Sequence, residues 1–392
     1  MSLQQTSQPS LISKIEVFRL PPRWLFVRVE TADGYVGWGE STLEGHTESI
    51  EGAFSDLKER FVGSDADAIE DIWHHAYRAR FYRGGPVLMS ALSGLDIALW
   101  DIKGKKLGVP VWSLLGGKVR NQIKVYGWVG GDNPQSVREG ALLRKEQGFT
   151  AVKMSGTGPT GWIDSPSILN GTIQRVQEVK AVGLDVGIDF HGRLHKGMAK
   201  QLAKLLEPYQ PLFIEEPLLP TQVEEIADIA HAVSTPIASG ERLYSRSDFR
   251  PYFEKKALDI AQPDVSHCGG ISELRRIAAM AETYDVAFAP HCPLGPVALA
   301  ACIQVGLNAP NFVIQEMSWQ IHYNSDDADL YTYLVDPSVF EVKDGHVAAL
   351  QGAGLGIEIN EALVRERAAD CVTRPAWRNA VCRGDDGGLR EW

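Results

Sequence analysis

The sequence predicts an α/β protein in which a closed parallel (β/α)8 barrel is covered by an α+β capping domain. Eight short apolar runs lie between residues 123 and 316, and each is followed by an amphipathic helical stretch. Intervals of 26, 26, 23, 27 and 25 residues separate the polar residues that end the last six runs, Asp189, Glu215, Glu241, Asp264, His291 and Glu316. A closed eight-stranded barrel requires a regular βα repeat of this length.

An open doubly wound sheet is the competing fold for such a repeat. It would show a glycine-rich phosphate turn after an early strand. The glycine cluster at residues 352–356 comes after the eighth run and has a different spacing. The barrel is therefore the better prediction.

The first part of the chain has a different texture. Strand-like segments at 15–20, 24–30 and 35–40 form a meander, and helical segments follow, the clearest at 87–106. We predict a disordered, polar tail over residues 1–12, a capping domain over 13–122 and the barrel over 123–345. Residues 346–392 follow the barrel.

Composition limits the classes of function. The 392 residues are 44% hydrophobic and 23% charged, as in an ordinary globular protein. The net charge of −11 argues against nucleic acid or an anionic membrane as a partner. No apolar run approaches the roughly 20 residues that span a bilayer, and no apolar signal segment begins the chain. Five scattered cysteines are too few for a disulfide framework, so we expect a cytoplasmic protein.

Three consecutive predicted strands end in acids: Asp189, Glu215 and Glu241. Neighbouring strands lie about 4.8 Å apart, so the three carboxylates would repel one another unless a cation lay between them. Oxygen ligands suit magnesium better than zinc. The alternative is that each acid is a solvated loop carboxylate. Strand alternation alone leaves open whether Glu215 or Glu216 faces the barrel axis.

Two histidines accompany these acids. Asp264 and His291 end neighbouring strands, where the carboxylate could orient the imidazole as a base. His191 is two residues beyond Asp189, so the two side chains should lie on one face. The alternatives are that Asp264 is a core aspartate and that His291 is a histidine whose hydrogen bonds are satisfied within the protein. For Asp189 and His191 the alternative is an ordinary turn that ends a strand.

Together with the strand-end acids, three motifs resemble those of the enolase superfamily, in its mandelate racemase-like group. They are residues 189–193 (DFHGR), 213–217 (FIEEP) and 289–296 (APHCPLGP). The resemblance extends over nearly the whole chain. It implies that residues 346–392 return to the capping domain. It also implies a homo-oligomer and one Mg²⁺ per active site, bound by Asp189, Glu215 and Glu241.

The same resemblance implies the other roles. His291 becomes the general base, Asp264 its orienting partner, His191 the general acid and Glu316 a stabiliser of the intermediate. The implied reaction is dehydration of a small-molecule sugar acid through removal of the C2 proton and loss of the 3-hydroxyl. D-galactonate is the expected substrate, and another aldonate such as D-gluconate is the alternative.

The second strand argues against a racemase. Racemases of this group resemble one another in a Lys-x-Lys here, whereas this chain has Lys153 and Ser155. Similar dehydratases have asparagine at the position of Ser155. Lys153 either binds the substrate carboxylate or reaches solvent. The remaining substrate-binding candidates belong to the capping domain: Arg23, His46 and Tyr82.

Two other classes of function compete with a dehydratase. A metal-dependent hydrolase on the same barrel would need His-x-His in the first strand, and residues 125–129 contain no histidine. A non-catalytic binding barrel would be favoured by loss of a ligand or dyad residue, and all of these residues are present.

Overall fold

The computed structural model describes residues 9–78, 81–324, 328–371 and 376–391. The first eight residues of the predicted tail lie outside this part. The end of that prediction is wrong, because strand β1 begins at Ile12 and the Ser10 hydroxyl donates to Asp33 Oδ1 at 2.7 Å. These residues belong to the folded capping unit.

An antiparallel sheet of three strands opens the chain, in the order β1 (Ile12–Leu20), β2 (Trp24–Thr31) and β3 (Val36–Glu40). Helices α1 (Thr47–Phe61), α2 (Ile69–Arg78) and α3 (Pro86–Leu107) follow. The meander and the long helix predicted from the sequence are both present. Helix α3 is buried along most of its length because it packs against β3 on one side and the barrel on another.

Eight parallel strands form the barrel. They are β4 (Gln122–Trp128), β5 (Ala151–Ser155), β6 (Asp185–Asp189), β7 (Phe213–Glu215), β8 (Ile237–Ser239), β9 (Ile260–Ala261), β10 (Ala287–Phe288) and β11 (Gln315–Met317). Their order is β10-β9-β8-β7-β6-β5-β4-β11. The sheet closes where Phe288 bridges Phe312 in parallel and Val313 N donates to Phe288 O at 2.9 Å. The predicted barrel fold is confirmed.

Helices cover the outside of the barrel. A short helix α4 (Val111–Leu114) precedes β4. The connecting helices are α5 (Pro134–Glu146), α6 (Pro166–Val182), α7 (Lys196–Leu206), α8 (Val223–Ala232), α9 (Arg246–Glu254), α10 (Gly270–Thr283) and α11 (Pro296–Asn308). Two short 3-10 helices lie at Glu207–Tyr209 and Pro337–Phe340.

The barrel interior is a packed core. One apolar cluster draws side chains from seven of the eight strands or their ends: Tyr126, Ala151, Phe213, Ala238, Ile260, Ala289 and Ile314. The remaining strand, β6, contributes Gly187, which makes room for the Phe213 ring: a Cβ on Gly187 would lie 2.4 Å from that ring. The charged side chains follow at the carboxyl ends of the strands, where barrel enzymes have their active sites.

The last part of the chain touches both units. Strand β12 (His346–Ala348) pairs antiparallel with β4, and helix α12 (Glu361–Cys371) packs against β1. Helix α12 also reaches β2, where Arg28 Nε lies 3.1 Å from Glu361 Oε2. The domain boundary at residue 345 stays a prediction, and β12 lies on its barrel side. In the described part of the chain, no helix is long and apolar enough to cross a membrane.

Candidate active site

Lys153 lies at the centre of the charged layer. Its side chain in β5 is 2% exposed, and Nζ contacts Glu215 Oε1 at 2.8 Å, Glu316 Oε1 at 3.0 Å and Asp189 Oδ2 at 3.3 Å. Burial alone would lower the pKa of Lys153, but the surrounding carboxylates, Glu215 first, raise it well above its ordinary value. The alternative that Lys153 reaches solvent is wrong.

Strand register explains this convergence. Ser155 pairs with Asp189 across β5 and β6, and Asp189 pairs with Glu215 across β6 and β7. Lys153 and Ser155 are two residues apart in one strand, so both side chains face the barrel interior. A lysine one layer below the strand ends can therefore reach acids from three different strands.

The strand-end acids respond to one another's charge. Burial and then the Asp189 carboxylate raise the pKa of Glu215 well above its usual range. Burial and Glu216 raise the pKa of Glu241 to about 8. Burial would also raise the pKa of Asp189, but His191 and Lys153 lower it overall. Positive charge beyond that of Lys153 would stabilise the ionised cluster.

A metal ion could be bound beside these acids. One ligand atom each from Glu215, Glu241 and His291 lies within 4.8 Å of the others. Asp189 Oδ2 instead faces Lys153 and lies 3.1 Å from His191 Nε2. The donor set of carboxylates and one imidazole fits a divalent cation, and its oxygen-rich character favours magnesium.

Asp264 and His291 form the predicted dyad, just beyond the ends of β9 and β10. His291 Nδ1 lies 2.8 Å from Asp264 Oδ2, and Asp264 Oδ1 accepts from Ser266 N at 2.7 Å. This contact orients the ring so that Nε2 lies 3.1 Å from Glu241 Oε2. Burial would lower the pKa of His291, but Glu241, Glu316 and Asp264 raise it well above its ordinary value. The ring can therefore hold a proton at Nε2.

His191 follows β6, whereas His291 follows β10. These strands are four apart in the closed ring of eight, so the two histidines approach the barrel mouth from opposite sides. His191 N donates to Asp189 Oδ1 at 2.8 Å, and its ring lies edge-on to Trp128 with centroids 5.9 Å apart. Burial, with Arg193 and Lys153 acting against Asp189, lowers the pKa of His191 to about 3.

The two glutamates of residues 215 and 216 point in different directions. Glu215 accepts from Lys153 and, at 2.8 Å, from Gln262 Nε2 inside the barrel. Glu216, with φ of 41°, accepts from Arg242 through both carboxylate oxygens. The structure therefore orients Glu215 into the charged layer.

Sequence reasoning missed several residues of the site. Arg242 directly follows Glu241, Gln262 is two residues before Asp264 on the same face, and Trp128 ends β4. Alternation around Asp264 could have indicated Gln262, whereas Trp128 pairs with Lys153 across β4 and β5, which the sequence does not show. Glu316 was predicted, and its Oε2 accepts from Cys292 N at 2.9 Å.

The capping-domain candidates differ in their placement. Arg23 lies 3.6 Å above the centre of the Tyr323 ring, and its Nη2 is 3.3 Å from Glu44 Oε1 and 3.5 Å from Pro293 O. It therefore contacts the loops that follow β10 and β11, at the barrel mouth. His46 is exposed and directly precedes α1. Tyr82 is 83% exposed and packs on Phe81, so the described contacts give it no support as a binding residue.

The site combines clustered carboxylates, a histidine–aspartate dyad and a second histidine on the opposite side of a parallel barrel. This combination defines a class of protein, the barrel enzymes that carry out acid–base chemistry with the help of a metal ion. Family models give the particular family. The model described as mandelate racemase / muconate lactonizing enzyme, N-terminal domain, matches residues 9–116. The model described as enolase C-terminal domain-like matches residues 136–363. The chain belongs to the enolase superfamily, in its mandelate racemase-like group.

Individual relatives match the chain over its length. The D-galactonate dehydratase of Pectobacterium atrosepticum is 50% identical over 384 residues, 97% of this chain and 100% of the relative. That of Ralstonia pickettii is 48% identical over the same shares. Among solved structures, an enolase from Agrobacterium radiobacter with bound sodium and L-malate has a TM-score of 0.87 and 30% identity. That match covers 97% of this chain and 99% of the other.

Proposed function

We propose that the protein is a hydro-lyase that dehydrates D-galactonate to 2-dehydro-3-deoxy-D-galactonate and water with the help of magnesium. The observation that carries the proposal is the pair of histidines on opposite sides of the barrel mouth, above clustered carboxylates. Relatives with this activity in their names, 47% to 50% identical along the whole chain, support the substrate.

Asp189, Glu215 and Glu241 would hold the magnesium ion. The preference of this ion for oxygen ligands supports that set over one that contains His291. When bound, the ion would supply positive charge to the substrate carboxylate and so stabilise the negative charge that develops there. The L-malate of the Agrobacterium radiobacter structure is also a hydroxy acid.

His291 Nε2 would remove the C2 proton. Asp264 holds Nδ1 at 2.8 Å and so keeps Nε2 directed at the mouth, where the ring would take the C2 proton from its neutral form. The neighbouring carboxylates raise the pKa of His291, which favours its holding the proton once transferred. Glu316, between Lys153 and Cys292 N, would stabilise the intermediate by donating a hydrogen bond from its protonated carboxyl to the developing oxyanion.

His191 would protonate the departing 3-hydroxyl. The C3–O bond then breaks, water leaves, and the enol that remains ketonises to the 2-keto acid. A pKa of about 3 makes the ring neutral in the free protein. Negative charge that the substrate carboxylate brings, and that the loss of the C2 proton adds, opposes this shift and favours protonation of the ring.

The test is keto-acid formation from a panel of aldonates with and without magnesium. D-galactonate should give product with magnesium and lose it after chelation by EDTA. D-gluconate is the matched control, because it differs only in configuration at C4. No keto acid from any aldonate would refute the dehydratase. Faster turnover of D-gluconate would reassign the substrate.

We also propose a homo-oligomer that works in the cytoplasm. All five cysteines are free and four are buried, which suits a reducing compartment. Phe81 and Tyr82 are 91% and 83% exposed and adjacent, and aromatic residues are enriched in protein–protein interfaces. Sedimentation analysis of the wild type and of a Phe81→Ser, Tyr82→Ser variant would test the contact.

A further inference from the structure

We infer that Arg242 is a positioning residue that fixes the backbone turn on which His191 stands. The inference rests on the proposed function and deepens it, because it separates the residues that serve proton removal from those that serve loss of the hydroxyl. Three observations carry it: a left-handed turn, a guanidinium that spans three strand ends, and the close approach of that guanidinium to the turn.

The turn after β6 has an unfavourable backbone. His191 and Gly192 both have positive φ, 51° and 63°. A histidine in the left-handed region persists only where its surroundings hold it there. His191 N donates to Asp189 Oδ1 at 2.8 Å, and Gly192 N donates to Glu216 O at 2.9 Å. These contacts hold the N–H groups of the turn.

Arg242 holds the carbonyl. Its Nη2 donates to His191 O at 3.1 Å and to Glu216 Oε2 at 2.5 Å, and its Nε donates to Glu216 Oε1 at 3.0 Å. Glu216 is 1% exposed and has its own positive φ of 41°. A planar guanidinium with two bonds to one carboxylate has a fixed direction. One side chain therefore joins the turns that follow β6, β7 and β8.

The guanidinium also fits against the residue after His191. A Cβ on Gly192 would lie 2.7 Å from Arg242 Nη2, so the absence of a side chain there lets the guanidinium reach the His191 carbonyl. The direction of this carbonyl sets the peptide plane and hence the place of the His191 ring. A proton donor displaced by about 1 Å loses much of its effect.

The consequence is selective. In the first half of the reaction the C2–H bond breaks and its proton goes to His291. In the second half the C3–O bond breaks, its electron pair stays on oxygen, and the proton of His191 completes the water molecule. Arg242→Met should slow dehydration about 100-fold, the lower end of what a general acid contributes. His291 catalyses exchange of the C2 proton with solvent deuterium, and the rate of this exchange should stay within about threefold of the wild-type rate.

The experiment measures both rates on one sample, with D-galactonate in deuterated water at saturating magnesium. The matched control is Arg246→Met. Arg246 Nε lies 3.2 Å from Glu273 Oε1, and the two side chains are 42% and 1% exposed. The Arg242–Glu216 pair is similar, with side chains 32% and 1% exposed. The control pair joins α9 to α10 and not the strand ends. Arg246→Met should leave both rates unchanged. Arg242→Lys keeps the charge without the three bonds and should give an intermediate, equally selective loss. If Arg242→Met does not fold, the two single variants Arg242→Lys and Glu216→Gln replace it in the test.

A change of leaving group gives a second readout. Fluoride departs as a stable anion and depends much less on a donated proton. The 3-deoxy-3-fluoro analogue of D-galactonate should therefore restore elimination in Arg242→Met and in His191→Asn alike. The positioning role would be overturned if exchange and dehydration fell together in Arg242→Met. It would also be overturned if KM rose and the 3-deoxy-3-fluoro analogue did not restore elimination. Wild-type protein without exchange or keto acid would instead refute the proposed function.

Discussion

Lys153 is the internal counter-ion of the site. It is a fully buried ammonium group whose ion-pair contacts are with the carboxylates of Asp189, Glu215 and Glu316. Removing one partner from a buried ionic cluster leaves charge that neither water nor another group compensates. The residue therefore bears on folding as much as on chemistry.

We predict that Lys153→Met lowers the free energy of unfolding by about 3–5 kcal/mol, the usual cost of breaking a buried ion pair. Urea denaturation at pH 7 in EDTA would measure it. The control is Lys343→Met, because Lys343 is 74% exposed and pairs with Glu341 on the surface, a pair worth about 0–1 kcal/mol. Equal, small losses in the two variants would contradict the counter-ion role.

Residue-scale prediction succeeded where the information was local. Asp189, Asp264 and His291 could be placed at one end of the barrel because the regular repeat marks where their strands end, whereas strand alternation leaves open whether Glu215 or Glu216 faces the axis. The contacts of Lys153 depend on closure of the barrel, which brings β5 close to β11. No local sequence pattern contains this closure, so the sequence alone predicts either a substrate contact or solvent exposure for Lys153.

At the scale of elements, β3 and α3 meet through their backbones. A Cβ on Gly39 would lie 1.9 Å from Gly94 O, and one on Gly37 would lie 2.1 Å from Ala98 O. The two elements can approach this closely because β3 has no side chain at either position. The contact helps fix α3 between the capping sheet and the barrel.

Gly39→Ala should therefore lower the free energy of unfolding by about 3 kcal/mol or more, at the upper end for overpacking, because the atom in the way is backbone. Thermal and urea unfolding would show the loss. Gly52→Ala is the matched control: this glycine lies in α1 with nothing within 4 Å of an added Cβ. It should raise stability by about 0.5–1 kcal/mol through helix propensity. A neutral Gly39→Ala would show that α3 can shift.

Prediction of elements was best for long, periodic segments. The helix predicted over 87–106 is observed at Pro86–Leu107. The apolar runs predicted to end at Glu241 and Asp264 form strands only over Ile237–Ser239 and Ile260–Ala261. The strand ladder stops before Glu241, and beyond its end Asp264 makes an isolated parallel bridge with His291. Polarity marked these positions, but the geometry of the turns that hold them is a tertiary property.

At the scale of the whole molecule, two buried carboxyls join the capping domain to the barrel. Glu40, at the end of β3, accepts from Gly295 N at 2.8 Å and Ala298 N at 3.0 Å at the start of α11. Asp96, in α3, accepts from Ser272 N at 3.0 Å in α10. These partners are 255 and 176 residues away along the chain, so the sequence could not indicate them.

These carboxyls should make the stability of the protein depend on pH. Burial raises the pKa of both to about 7, against about 4 in an unfolded chain. Between these values the folded state binds protons that the unfolded state has released. The free energy of unfolding therefore falls as pH rises from about 4 to about 7, by up to about 1.4 kcal/mol per pH unit for each group, and the fall ends above that range.

The measurement is a series of urea unfolding curves from pH 5 to pH 8 on the wild type and on a Glu40→Gln, Asp96→Asn variant. The variant replaces both titrating groups with neutral amides of the same shape, so its decline between pH 5 and pH 7 should be shallower than that of the wild type. Other groups titrate equally in both proteins, and the difference in slope isolates the junction. Parallel curves would mean that Glu40 and Asp96 are ionised in the folded protein. Their hydrogen bonds to Gly295, Ala298 and Ser272 would then outweigh the effect of burial.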